Sequence, residues 1–170
     1  MCIRDSYEGH ADLEVSVEAL DTLASGDPIP TPQEELYPNE YVRLHAPSNG
    51  KRTVLGRTDS EVRRIIPLRR DIHDVRGLEP RNMQQHFALD ALLDESVQLV
   101  TLMGKAGTGK TLLALGAGLH AVLNTKSYAR MLVARPLSPV GRDVGYLPGG
   151  IEDKLHPWMQ PVYDLSLIHI

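Results

Sequence analysis

Residues Gly104 to Thr111 read GKAGTGKT, the spacing G-x-x-x-x-G-K-[ST] with every fixed position filled. The pattern constrains the chain on both sides of it. Gly104, Gly107 and Gly109 permit positive φ and a close approach of backbone to a bound group, which a Cβ would obstruct. Such a loop turns successive N–H groups inward as a nest for anionic oxygens. It opens onto a helix N-terminus, where unpaired N–H groups and the positive dipole end favour the same anion. It must be entered from a buried strand and left through a buried helix. Val97 to Met103 is a short apolar run suited to a parallel strand, and Leu112 to Leu123 is a helical stretch nearly apolar all round. A chance match in a surface loop would lack both flanks.

The chemistry this spacing supports is the holding of a triphosphate. The backbone of Gly104, Lys105, Ala106, Gly107, Thr108 and Gly109 would wrap the phosphates of ATP. Lys110 would reach the β- and γ-phosphates, and the Thr111 hydroxyl would ligate Mg²⁺. A complete site also needs an acidic group at the end of a later buried strand. Met131 to Ala134 reads as that next strand, but it ends in Arg135-Pro136, and Asp143, Glu152, Asp153 and Asp164 follow no apolar run. Two or three strands fall short of the usual parallel sheet, so the chain reads as a truncated α/β domain.

The termini point the same way. Met1 to Ser6 (MCIRDS) can be encoded by ATGTGTATAAGAGACAG, whose reverse complement translates to Leu-Ser-Leu-Ile-His, and the chain ends LSLIHI from Leu165 to Ile170. Residues 1–6 and 165–170 are therefore expected to be translated adaptor DNA, resembling a transposon end, and are set aside from fold reasoning. The single cysteine, Cys2, lies in that segment, so disulfides and thiolate metal sites are excluded from 7–164, which fits a reducing cytoplasm. The apolar stretch Leu112 to Leu123 is too short to span a bilayer, and no membrane partner is expected. The histidines show no metal-ligand spacing; His73, His86 and His120 read as helix or loop residues.

A net charge of −4 conceals a partition. Residues 7–40 carry nine acidic residues and no Lys or Arg, whereas 41–81 carry ten basic residues against five acidic ones. Charge asymmetry of this kind is a partner signal. Basic residues in 41–81 could lie along a nucleic-acid backbone, or could be the wet face of alternating strands. Tyr41 is the one aromatic there, so base stacking is poorly supported.

Along the chain, Asp12 to Val17 alternates like a half-buried strand. Glu18 to Ser25 fits a short helix with Leu20, Leu23 and Ala24 on one face and Gly26 as its stop. Asp27 to Asn39, with four prolines, reads as a connector. Tyr41–Ala46, 52–57 and 62–66 are three strand candidates, with Asn49-Gly50 as a tight turn between the first two. Pro67 ends this small antiparallel meander, and 69–81 is a basic linker without periodicity. Arg81-Asn82 opens a helix in which Phe87 with Ala91, and Ala88 with Leu92, repeat at i, i+4.

Two residues have divided readings. In Asn82-Met83-Gln84-Gln85, the Gln85 amide could pair with N6 and N7 of adenine, or could be a solvated residue at a helix start. Arg135, at the carboxyl end of a strand, lies where α/β sheets bind ligands and could contact a nucleic-acid phosphate, or could be a solvated loop residue.

From Arg81 to Asp164 the chain resembles the PhoH family of P-loop ATPases. The resemblance rests on RNMQQHFALDALLD (81–94), LVTLMGKAGTGKTLLAL (99–115) and RPLSPVGRDVGYLPGGIEDKLHPWMQPVYD (135–164), the last being the most family-specific. Residues 7–80 are more loosely similar to the connector that follows a PIN-type nuclease domain in longer members. The resemblance implies an ATP-dependent, helicase-like RNA-processing protein, oligomeric when intact, with Gln85 at adenine, Lys110 and Thr111 at phosphate and Mg²⁺, and Arg135 near the nucleic-acid path. The nuclease carboxylates, the second acidic ATPase motif and an arginine finger are not in this chain, so turnover by it is not expected.

The sequence thus sets out a partial P-loop α/β domain at 81–164. Ahead of it stand an acidic strand–helix with a proline-rich connector at 7–40 and a basic meander with linker at 41–80. The leading function is an ATP-binding part of an RNA-processing ATPase. The alternatives are a nucleic-acid-binding adaptor with a structural or degenerate nucleotide site, and a P-loop kinase of a small metabolite.

Overall fold

A computed structural model describes residues 9–32, 35–47, 49–69, 75 and 77–134. The chain divides into two compact units, Met1–Arg70 and Asp71–Ile170. The first holds a five-stranded sheet: β1 (Ala11–Glu14), β2 (Ile29–Pro30), β3 (Tyr41–Ala46), β4 (Asn49–Thr58) and β5 (Arg64–Pro67), in the order β1-β3-β4-β5-β2. β3, β4 and β5 form the antiparallel meander read from the period-two pattern. β1 joins β3 in parallel and β2 joins β5 antiparallel, so the acidic segment supplies both edges of the sheet that the basic segment begins.

Alternation decides which face is buried. Val42, Leu44 and Ala46 of β3 are buried while Tyr41, Arg43 and His45 are half-buried. The register pairs Leu13 of β1 with Leu44, so the two leucines share a face. Helix α1 (Val17–Ser25) covers it, and Leu13, Leu20, Leu23, Ile29, Val42, Leu44, Ala46 and Ile65 form one core. Burying each leucine contributes about 1.5–3 kcal/mol relative to exposure.

Local chemistry sets the ends of α1. The Ser16 hydroxyl accepts from the Ala19 N–H at 3.2 Å, an N-cap, and Glu18 sits in the first turn where the dipole favours it. At the other end Gly26 adopts φ 111°, its N–H bonds the Leu23 carbonyl at 3.1 Å and the Asp27 N–H bonds Thr22 at 3.2 Å. That is a Schellman stop, which explains why the helix ends at the expected glycine. A second local device is the turn Tyr37-Pro38-Asn39-Glu40, closed by Glu40 N–H to Tyr37 C=O at 3.1 Å with Asn39 at φ 59°. Proline followed by a positive-φ asparagine is the residue choice of a type II turn. The buried Thr58 hydroxyl clamps it, accepting from Glu40 N–H at 2.8 Å and donating to Tyr37 C=O at 2.6 Å.

The structure corrects three sequence expectations in this unit. Asn49 and Gly50 are the first residues of β4, and the reversal precedes them, with Ala46 opposite Asn49 and a register shift at His45/Ala46. The dipeptide fits a two-residue turn, but the strands continue pairing past it. Ala24 is exposed: Leu20 and Leu23 are buried and Ala19 packs partly buried against the same core, so the covered face of α1 turns toward Ala19. Ile29 and Pro30, inside the expected connector, form a short edge strand, a place where proline's missing N–H is tolerated.

In the second unit, α2 (Met83–Leu93) packs with α3 (Lys110–Leu123) around Val75, Leu78, Leu89, Leu113 and Ala117. Val75 and Leu78 belong to the segment read as a structureless linker. A turn closed by Leu78 N–H to Val75 C=O at 2.9 Å brings both to the core. Gly116 makes room: a Cβ there would lie 2.0 Å from Leu78 Cδ1.

The parallel P-loop sheet expected from 97–103 and 131–134 is not formed among the described residues. Both segments lack strand pairing, and Leu99, Met103 and Leu132 are 84%, 88% and 82% exposed. A central parallel strand depends on partners on both edges and cover on both faces, and the described residues supply neither to these segments. The one parallel pairing among the described residues is β1 with β3. Among the described residues the chain is mixed α/β, and the five-stranded sheet precedes the loop in sequence. Residues 1–6 and 165–170 lie outside the described residues.

Candidate functional site

The loop from Gly104 to Gly109 takes the backbone form its glycines allow, with Gly104, Gly107 and Gly109 at φ 153°, 79° and 87°. Gly109 is the N-cap of α3 in the left-handed region, and no side chain caps the helix. The first bond into α3 runs from Leu113 N–H to Gly109 C=O at 2.9 Å, so the N–H groups of Lys110, Thr111 and Leu112 stand at the open end. Lys105, Ala106, Gly107, Thr108 and Thr111 are exposed, so solvent reaches the loop and the first turn together.

Lys110 folds back over this loop. Its Nζ donates to Gly104 C=O at 2.9 Å, to Lys105 C=O at 2.7 Å and to the Thr108 hydroxyl at 3.2 Å, which fills the ammonium's three donors. Thr108 Oγ1 in turn donates to Lys105 C=O at 3.0 Å. The one cation thus draws both ends of the loop together. An anion entering here would meet a positive charge already in place, whose present carbonyl partners carry no formal charge to oppose it.

Gln85 is tied to the same loop. The Asn82 side chain caps α2 by accepting from Gln85 N–H at 2.9 Å. Gln85 Oε1 accepts from Arg81 N–H at 2.8 Å, and Gln85 Nε2 donates to Thr108 C=O at 3.2 Å. These bonds place Gln85 both at the start of α2 and against the phosphate loop. The contact with Thr108 went unread. Asparagine followed three residues later by glutamine is close to a capping box, and that spacing was the available signal for the cap. Nothing in the sequence points from Gln85 to residue 108. Arg135 and the acidic residues beyond it lie outside the described residues.

The basic segment is placed differently from an open stripe. Arg43 forms a two-pronged pair with Asp12 at 2.5 and 2.7 Å, Arg52 pairs with Asp21, Arg63 with Glu61 at 3.0 Å and Arg64 with Asp59 at 3.5 Å. Arg57 is buried in the sheet. The hydrogen bond from Arg43 holds the Asp12 carboxyl below its ordinary range, against the upward push of burial. At Asp59 burial pushes up, but the N–H groups of Arg63 and Arg64 and the Arg64 guanidinium together hold the carboxyl low. Two of these pairs join the acidic segment to the basic one, so part of the charge partition is cancelled within the fold.

The family described as PhoH-like protein matches residues 77–168, which include α2, the loop and α3. The chain belongs to that family. It is 41% identical over 163 residues to Protein PhoH2 of Bacillus subtilis, covering 94% of this chain and 37% of that protein. It is 42% identical over 160 residues to Protein PhoH2 of Mycolicibacterium smegmatis, covering 93% and 36%. It is 37% identical over 100 residues to Protein PhoH of Escherichia coli, covering 59% and 27%. The chain therefore spans a little over a third of the length of these PhoH2 relatives, and the likeness to them runs through both units. No solved structure matches the chain. No helix among the described residues is long and apolar enough to cross a membrane.

Proposed function

We propose that residues 81–134 hold the phosphate-binding end of a PhoH-like ATPase, taking Mg·ATP at Gly104 to Thr111. The observation that supports this most is the joint one: three glycines at positive φ, an uncapped α3 and Lys110 at the head of that helix, all within eight residues. In this reading the loop N–H groups take the β- and γ-phosphate oxygens, Lys110 leaves the carbonyls of Gly104 and Lys105 for phosphate, and Thr111 ligates Mg²⁺. ATP hydrolysis in the full-length protein would need an acidic residue from elsewhere and closure against a neighbouring subunit. RNA is the proposed substrate, with Arg135 beside its path.

Titrating ATP into the full-length protein and its Lys110→Ala variant tests the site. Loss of a charge-assisted contact worth about 1.5–3 kcal/mol predicts roughly ten- to hundredfold weaker binding. Equal affinities would remove the assignment. One observation favours the runner-up, a nucleic-acid-binding adaptor with a structural or degenerate nucleotide site: all three donors of Lys110 are engaged within its own loop. RNA affinity measured against salt separates the two. The adaptor gives a steep salt slope that ATP does not alter, whereas the ATPase gives an affinity that changes with nucleotide.

A further inference from the structure

We infer that Gln85 is a positioning residue for the phosphate loop, bracing the Thr108 carbonyl from the start of α2. The inference rests on the nucleotide-binding reading above and concerns how that site is held ready. Three facts support it. Both faces of the Gln85 amide are committed, Oε1 to the Arg81 N–H at 2.8 Å and Nε2 to the Thr108 carbonyl at 3.2 Å. The backbone of Gln85 is itself fixed by the Asn82 cap at 2.9 Å, so the side chain projects from an anchored turn. Thr108 also carries two of the loop's internal bonds, through its hydroxyl to Lys105 C=O at 3.0 Å and from Lys110 Nζ at 3.2 Å.

The glycine at 109 agrees with this placement. A Cβ there would lie 3.3 Å from Gln85 Nε2, so the amide sits against the loop backbone where the helix begins. Thr108 C=O and the N–H of Gly109 belong to one planar peptide. Fixing the carbonyl therefore fixes the direction of that N–H, one of the groups a phosphate oxygen would use. An amide that orients the loop in this way acts on the polyphosphate whatever base it carries. To face adenine with both amide atoms, Gln85 would compete with the bonds it already makes to Arg81 and Thr108.

The test compares Gln85→Met and Asn82→Ala in the full-length protein, with ATP, GTP and inorganic tripolyphosphate as probes in the presence of Mg²⁺. Methionine keeps the helix start and the Asn82 cap but cannot bond Thr108. Gln85→Met is expected to weaken all three probes by one common factor, about three- to tenfold, as for loss of one neutral hydrogen bond. Asn82→Ala frees the Gln85 backbone but keeps its amide, so it should lower the thermal midpoint and weaken tripolyphosphate less than Gln85→Met does. A loss confined to ATP would make Gln85 a base reader and overturn the inference. So would unchanged tripolyphosphate affinity in Gln85→Met, or an equal loss in Asn82→Ala, which would reduce the effect to helix stability. If the unaltered protein binds none of the probes, the nucleotide reading falls first and this inference with it.

Discussion

At the scale of single residues, the least replaceable positions are those where a missing atom is the contribution. Gly56 of β4 is buried, and a Cβ there would meet Ile65 Cγ2 at 2.6 Å, the Ile66 carbonyl at 3.1 Å and Leu23 Cδ2 at 3.2 Å. The close approach of α1 to the sheet depends on that gap, because Leu23 is 1% exposed and Ile65 fully buried. Gly56→Ala forces a shift in backbone as well as side chains and should cost about 1–3 kcal/mol. Urea unfolding followed by a probe in the first unit would show it; a change under a few tenths would mean that α1 is free to ride outward. Gly56 was not singled out by any sequence pattern. The phosphate-loop glycines were, since their spacing is a motif, whereas the need for Gly56 comes from Ile65 on the neighbouring strand and Leu23 on α1, which only folding brings against it.

Among elements, α1 was the most legible. Its stop at Gly26, its buried Leu20 and Leu23 and nearly all of its length follow from local chemistry, and local chemistry is what a sequence displays. The cap gives a direct check. Ser16→Ala removes the acceptor for Ala19 N–H and should cost about 1 kcal/mol. Hydrogen exchange should then quicken in the first turn of α1 ahead of the rest of the helix; uniform protection would show that packing alone holds its start. β3 was equally readable, because its alternation has a period of two over its whole length. The segments 97–103 and 131–134 were not. Their composition suits buried strands, but a strand exists only when neighbours accept its hydrogen bonds, and among the described residues none do. Val75 and Leu78 erred the other way: two apolar residues in a polar run carry no period, yet a turn places both in a core.

Across the molecule, charge shows the same contrast. Residues 7–70 hold eleven acidic and eight basic residues, arranged in sequence as an acidic block and then a basic one. Folding interleaves them, since parallel pairing of β1 with β3 sets Asp12 beside Arg43. The basic excess thereby loses part of its force as a sign of nucleic-acid contact. The pairing also sets an acid limit. Asp12 has a folded-state pKa below its unfolded value, near 3.9. Its contribution is therefore present above about pH 4 and disappears as pH falls through the folded value. Both side chains are close to half exposed, 42% and 45%, so the pair is worth no more than about 1 kcal/mol and weakens with salt. Asp12→Asn should be slightly less stable than the parent at neutral pH, with the difference shrinking as pH falls below the ordinary carboxylate range. A gap that stays constant over that range would show that the carboxylate's charge is not what matters. By itself the sequence determined what short-range chemistry can encode: the loop's residues and spacing, the family, the helix ends and the meander. The tertiary structure alone decided which apolar runs find partners, which charges meet and that Gln85 lies against Thr108, because each depends on residues brought together across long stretches of chain.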